Sequence, residues 1–439
     1  MKLDERRTIW SWALYDWANS AFATTVMAGF FPLFFKQYWS AGADVNVSTA
    51  RLGTANSVAG LIVALSAPIL GAISDKGTNK KKFLTFFAFM GAVMTCSLSL
   101  VAQGHWPWAA ALYAVGTIGY CGGNVFYDAL ITGVASAKKM DVVSALGYSL
   151  GYLGGGALFA VNVLMTLKPE LFGLADAAAA VRVSFLTVGL WWAVFTVPLI
   201  LFVREPRTSE PRAGLRMVRA GLSQLAGTFK GIRKNRMVFL FLLAYWFYID
   251  GVDTIIRMAV DCGLSLGFDS NDLIVALLIV QFVGFPAALA YGYLGKRIGA
   301  KRGIFLAIAI YLAITIGGAF MQNERHFYAL AIAIGLVQGG IQALSRSYYA
   351  RIIPADRSAE YFGFYNMLGK FAAVLGPVLM GHIGLLVRQV SGSNNLGTRA
   401  SIVSIALLFL VGGSLLCFVD PRENNGITSN HQTTGGEAL

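Results

Sequence analysis

Seven ionisable side chains stand in stretches otherwise apolar enough to exclude them. They are Asp16, Asp128, Asp250, Asp253, Arg257, Arg346 and Lys370. A charge at the centre of a bilayer costs roughly 2.5–3.5 kcal/mol even on a lenient insertion scale, so such residues are kept for a task. A carboxylate there binds and releases a proton or holds a cationic amino group. Asp16, Asp250 and Asp253 are the candidates for that work, and Arg257 or Lys370 would receive a solute carboxylate. Asp253 and Arg257 are i,i+4 neighbours on one helix face, so a purely structural ion pair is the competing reading for them. Neutral polar groups fall at similar depth: Asn19, Asn56, Asn124, Gln281, Gln338 and Asn366. These bind solute or tie helices together by hydrogen bonds worth about 0.6 kcal/mol each.

Other chemistry lacks its residues. The four histidines and four cysteines are dispersed, with no Cys-x-x-Cys pair, so no triad, metal cluster or disulfide framework is expected. No Gly-x-x-x-x-Gly-Lys-Ser/Thr loop is present, and no cofactor is called for. The chain does not read as an enzyme.

The elements that hold these residues are membrane helices. Of 439 residues 56% are hydrophobic and only 13% charged, where a soluble protein carries about a quarter charged. Apolar runs long enough for a ~30 Å core fall near 9–35, 50–74, 83–102, 107–133, 142–167, 181–203, 237–261, 273–295, 303–321, 327–351, 360–386 and 400–419. The first is too long for a signal-peptide core and reads as an uncleaved anchor. With both termini inside, 25 Lys and Arg fall in inner segments and 7 in outer ones, the bias that sets orientation. The net charge of +13 is therefore topogenic, and nucleic acid is not expected as a partner. Trp10, Trp12, Trp39, Trp106 and Trp108 sit at span ends, as interface anchors do.

The chain divides into 1–203, a linker at 204–236, 237–420 and a polar tail at 421–439 that reads as disordered. Leu215, Val218, Leu222, Leu225, Phe229 and Ile232 form one apolar stripe flanked by Arg216, Arg219, Lys230 and Arg233. That pattern predicts a basic amphipathic helix on the inner membrane face. The two long segments echo each other. Asp16-x-x-Asn19 corresponds to Asp250-x-x-Asp253, and Ile-Gly119 with Gly122-Gly123 corresponds to Ile-Gly335 with Gly339-Gly340. Two six-helix halves of this kind place a solute site near the midplane between them. Gly147, Gly151 and Gly155 repeat every four residues, which predicts close helix packing.

The loop GAISDKGTNKKK (71–82) resembles the loop motif of the major facilitator superfamily, with Gly71, Asp75, Lys76 and Lys80 matching and Thr78 in place of a glycine. Asp75 is suited to accept the exposed amides at the start of helix 11 and so latch the halves at the inner side. The second copy, GYLGKRIGAKR (292–302), has Lys296 where the acid belongs. Five stretches together, LYDWANSAFATTV (14–26), SALGYSLGYLGGG (144–156), the acidic helix 7, IQALSRSYYARIIP (341–354) and YFGFYNMLGKFAAVLGP (361–377), resemble the "unknown major facilitator" family, relatives of the fungal vacuolar amino-acid effluxers of autophagy. The resemblance implies an all-α major-facilitator fold of 12 transmembrane helices in two pseudo-symmetric six-helix bundles, with helices 1, 4, 7 and 10 lining the cavity. It implies alternating-access transport of a small polar solute, amino-acid efflux being favoured, with protons as the available coupling ion. In that superfamily an acid placed like Asp128 pairs with the basic residue of the loop motif, here Lys76, and Arg346 could pair with Asp128 across the halves. The expected setting is a monomer in a lipid bilayer, the bacterial cytoplasmic membrane. Transport of a peptide-like or lipid-linked solute, and a non-transporting membrane sensor or assembly factor, are the alternatives.

Overall fold

The computed structural model describes residues 3–77, 79–205, 223–225, 227–228, 230–233, 235–265, 270–371 and 375–419, apart from the side chains of 45–46, 257–265, 270–271 and 394–395. Helices dominate, and no strand occurs among the described residues. In chain order they are α1 (Arg6–Trp39), α2 (Val45–Gly77), α3 (Lys80–Leu98), α4 (Trp106–Val134), α5 (Met140–Leu167), α6 (Ala177–Phe202), α7 (Arg236–Ser265), α8 (Ser270–Ile298), α9 (Ala300–Gly318), α10 (Glu324–Ile352), α11 in two segments (Ser358–Phe371 and Leu375–Ser391) and α12 (Leu396–Cys417). Eleven are long and apolar enough to cross a bilayer. The twelfth, α4, has the length at 29 residues but is diluted by glycine, tyrosine, Asn124 and Asp128. Most of its residues, Asp128 among them, are buried in the bundle.

The halves repeat local devices. Pro68 lies inside α2 and Pro286 inside α8. At the start of α3, Lys81 Nζ donates to the carbonyls of Ile200 (2.9 Å) and Val203 (3.0 Å) at the end of α6. At the start of α9, Lys301 Nζ donates to Cys417 (3.0 Å) and Val419 (2.7 Å) at the end of α12. In each half a lysine closes the last helix, where orphan carbonyls and the dipole favour a cation.

Small residues make the seams. A Cβ on Gly147, Gly151 or Gly155 of α5 would stand 2.6–2.8 Å from Asp16, Ser20 or Thr24 of α1. Two four-residue repeats therefore mesh, and the backbones approach as they do at small-residue interfaces in membranes. Between the halves, α5 packs on α8 and α2 on α11. At the second seam a Cβ on Gly71 would lie 2.2 Å from the Ala359 carbonyl oxygen, and one on Gly363 would lie 2.6 Å from Ala67 O. Outward-turned apolar side chains such as Leu65, Phe86, Leu201 and Val390 are exposed, as a lipid-facing surface requires.

One expectation changes at this level. Trp12 and Trp39 are fully buried, because Trp12 stacks on Tyr127 at 4.4 Å and Trp39 on Phe185 at 5.7 Å. They are core residues, whereas Trp10 and Trp108 remain exposed at span ends. In the linker, Leu225 and Ile232 pack into the protein core and Thr228 is buried. These two residues of the stripe are turned to the bundle, Lys230 and Arg233 are exposed, and Leu215, Val218 and Leu222 lie outside the described residues. Residues 206–222, Phe229 and the tail from 420 lie outside the described residues.

A candidate charge gate and solute cavity

The ends of the helices that carry Lys80–Lys82, Lys138, Lys139, Lys296 and Arg297 are the inner ends by the excess of basic residues. Near them α10 presents Arg346, which is only 1% exposed. Its Nη1 reaches Asp128 Oδ1 of α4 at 3.1 Å and Asp16 Oδ2 of α1 at 3.4 Å. Its Nε donates to Ser144 Oγ (2.9 Å) and its Nη2 to the Ser144 carbonyl (2.8 Å) on α5. Tyr148, Trp12 and Tyr127 surround the guanidinium, with ring centroids 4.2, 4.9 and 5.2 Å away. Tyr127 OH donates to Asp16 Oδ2 at 2.7 Å, and Asn366 Nδ2 of α11 to Asp128 Oδ2 at 3.1 Å. Such saturation is what a buried ion needs. One cation thus holds two carboxylates, and it belongs to the opposite half.

Two further clusters close the inner end. Asp75 accepts the amides of Ala359 (3.3 Å) and Glu360 (2.8 Å) at the start of α11 and pairs with Lys80 at 2.8 Å. Lys80 Nζ also donates to Ser358 Oγ at 2.9 Å. Glu360 is fully buried and accepts from linker Gln224 at 2.6 Å and from Arg357 at 3.1 Å. On the other seam Asp141 of α5 accepts from Ser347 Oγ at 2.5 Å and pairs with Arg351 at 2.5 Å, both on α10. At the N-terminus, burial raises the Asp4 carboxyl, but bonds from the Ser136 amide and hydroxyl and the nearby Lys139 outweigh it and hold the group below its ordinary value.

Lys76 differs from expectation. Asp128 pairs with Arg346 and Asn366 instead, and Lys80 is the basic partner that the loop motif uses. Lys76 lies in the last turn of α2 and has no ion-pair partner among the described residues.

Toward the outer side a cavity of about 210 Å³ opens between α1 of the first half and α7, α8 and α10 of the second. Ala23, Thr24, Ile256, Leu277, Gln281 and Gln338 are among its walls. Thr24 lies eight residues past Asp16, and Gln338 eight before Arg346, so the cavity sits ~12 Å outward of the charge cluster on both helices. Gln281 Nε2 donates to Thr24 Oγ1 at 3.0 Å across the halves. Asn19 Nδ2 donates to Asn124 Oδ1 at 2.6 Å, and Tyr113 OH to Asn56 Oδ1 at 3.1 Å. Lys370, on the first segment of α11, is exposed although it lies within the bundle. Its neighbours are Cys121 and Tyr120 of α4, with Asp253 of α7 in electrostatic reach.

Asp250 departs most from its expected role. It is fully buried, and its carboxylate accepts the backbone amides of Leu375 (2.9 Å) and Gly376 (3.0 Å) with Thr254 Oγ1 at 3.1 Å. A carboxylate so engaged does not face an aqueous path. Asp253 is partly exposed, and the Arg257 side chain lies outside the described residues. No group of three metal-binding side chains occurs among the described residues.

Sequence reasoning missed Asp141, Ser144, Tyr127 and Glu360. Asp141 and Glu360 each sit in the first turn of a helix, where carboxylates are common as ordinary caps, and only cross-half contacts distinguish them.

Similarity to known proteins agrees with this architecture. The family described as "Vacuole effluxer Atg22 like" matches residues 4–50 and 41–425. The uncharacterized MFS-type transporter YxiO of Bacillus subtilis is 39% identical over 429 residues, covering 96% of each chain. Autophagy-related protein 22 of Eremothecium gossypii is 23% identical over 440 residues, covering 86% of this chain and 85% of that one. Among solved structures, the human organic anion transporter MFSD10 (TETRAN) superposes with a TM-score of 0.71 at 15% identity, covering 94% of this chain and 100% of that one. The proton:xylose symporter XylE superposes at 0.66 with 14% identity, covering 94% of each. With twelve helices in two halves, a cross-half charge cluster and a cavity between them, the chain belongs to the Atg22-like vacuole effluxer family of major-facilitator membrane transporters.

Proposed function

We propose that the protein exports a small zwitterionic solute, an amino acid in the first instance, by alternating access in exchange for protons. The observation that carries the reading is Arg346 of the second half held by Asp16 and Asp128 of the first. Protonating one carboxylate removes one of the two negative charges that hold Arg346 across the seam. A proton arriving from the outer side therefore loosens the inner closure, the halves rock, and the inner side opens. Release of that proton inside restores the pair after solute has bound, which returns the loaded site to the outer side. Lys370 is the group for the solute carboxylate and Asp253 for its amino group. The names of the Atg22 relatives support efflux as the direction.

The test is uptake and release by proteoliposomes of an amino-acid panel, with and without an imposed pH gradient. Gradient-driven transport of one or more members, lost in Asp16→Asn, is the expected outcome. Intact gradient-driven transport in that variant would overturn the proton path. The apolar walls of the outer cavity favour a second reading, an amphiphilic or lipid-linked solute, which the panel distinguishes by failing throughout.

A further inference from the structure

Every contact that the Arg346 guanidinium makes among the described residues is with the opposite half. Asp16 and Trp12 lie on α1, Asp128 and Tyr127 on α4, and Ser144 and Tyr148 on α5. A guanidinium offers five N–H donors in a flat fork. Here Nε meets the Ser144 hydroxyl, Nη2 the Ser144 carbonyl and Nη1 the Asp128 carboxylate. Asp16 Oδ2 lies 3.4 and 3.5 Å from the two terminal nitrogens. The three rings stand with centroids 4.2 to 5.2 Å from the guanidinium carbon, within the range of cation–π attraction. The first half therefore carries a complete guanidinium receptor, and the second half supplies its occupant.

Parting the halves at the inner side withdraws Arg346 on α10 and Asn366 on α11 together. Asp16 keeps the Tyr127 hydroxyl as a donor, but both carboxylates lose their cation. Two carboxylates beside three aromatic rings then need a counter-ion. A proton answers the charge but leaves the Ser144 acceptors and the rings unused. A planar cation uses all of them. One substituent on it is accommodated, because the Arg346 stem enters from α10, the side that moves away.

We infer that the first half holds a regulatory site for a small monosubstituted guanidinium compound of the inner solution, which takes the place of Arg346 when the inner side is open. While it is bound, Arg346 cannot return, so the transporter is held inner-open and transport stops. The inference rests on the rocking of the halves proposed above, and needs neither the identity of the solute nor proton coupling.

Two measurements on the full chain test it. The probe is methylguanidinium chloride, with urea as an uncharged planar counterpart and sodium chloride as the control for ionic strength. In Arg346→Ala the receptor has lost its occupant. The melting temperature of that variant in detergent is expected to rise saturably with millimolar methylguanidinium and with neither control, and the rise should vanish when Asp128→Asn is added. The second measurement decides the matter if Arg346→Ala does not fold. Spin labels at Lys138→Cys and Lys296→Cys, with the native cysteines replaced by serine, report the inner-open fraction of otherwise unaltered protein and of Asp75→Asn. A ligand confined to the inner-open state raises the ratio of open to closed protein about tenfold at about ten times its Kd. Methylguanidinium is expected to do so and urea is not. A response to methylguanidinium no larger than that to sodium chloride, in both proteins, overturns the inference. So does a response left undiminished by Asp128→Asn, which would put the probe elsewhere. If Asp16→Asn keeps gradient-driven transport while the guanidinium response stands, the proton path falls and this site is upheld.

Discussion

Arg346 and Asp16 are 330 residues apart in the chain and meet at 3.4 Å across the two halves. Neither has a partner of opposite charge on its own helix within reach, so each depends on the other half for compensation.

Removing the cation should therefore be worse than exchanging it. Arg346→Ala leaves two buried carboxylates without their counter-ion, a change that costs about 3–5 kcal/mol in buried pairs, and transport should fall below a tenth of the parent rate. Asp128→Arg alone should do the same. The double exchange Asp128→Arg with Arg346→Asp keeps one cation among two anions, and transport should recover in part. A double variant as inactive as either single one would sink the gate.

The latch at Asp75 predicts a shift in population and not in folding. Asp75→Asn weakens the pair with Lys80 and the bonds from the α11 amides. Charged hydrogen bonds are worth about 1.5–3 kcal/mol, so the ratio of inner-open to inner-closed protein should rise about tenfold or more. Spin labels at the exposed positions Lys138 and Lys296, one on each half, would report it as a longer distance component.

Glycine substitutions should separate seam from surface. Gly151→Ala drives a Cβ to 2.6 Å from Ser20 Oγ, whereas Gly60→Ala meets nothing within 4 Å. The first should lower the detergent melting temperature and the second leave it within the change of about 0.5 kcal/mol usual for surface sites. Equal melting of both would contradict the meshed α1–α5 packing.

The cavity predicts size selection. Ala331 lines it and is buried, so Ala331→Phe fills space that a solute side chain would use. KM should rise for large members of the transported panel and stay near the parent value for the smallest. A uniform change across sizes would place the solute elsewhere.

How much of this was legible beforehand follows from the kind of force involved. Helix number, orientation and the pseudo-repeat are written in local composition, because lipid demands long apolar runs and loops record charge bias. The Asp75 contact was legible as well, since the loop motif and a helix N-terminus are both local features. The glycine spacing in α5 announced a close seam, but only the structure shows Asp16, Ser20 and Thr24 filling it.

The pair of Asp128 with Arg346 was offered by the sequence, and the rest of the charge pairing was decided by tertiary structure. Sequence sets Asp128 apart and offers Arg346 as its cross-half partner, but it leaves Asp16, Asp250 and Asp253 chemically alike, three carboxylates in apolar surroundings. Packing makes all four differ: two share Arg346, one accepts the backbone amides of Leu375 and Gly376, and one stays partly exposed. The reason is physical. Burying a carboxylate is costly unless donors converge on it, and apart from Thr254 the donors here come from residues more than 100 positions away, whose arrival no local pattern records.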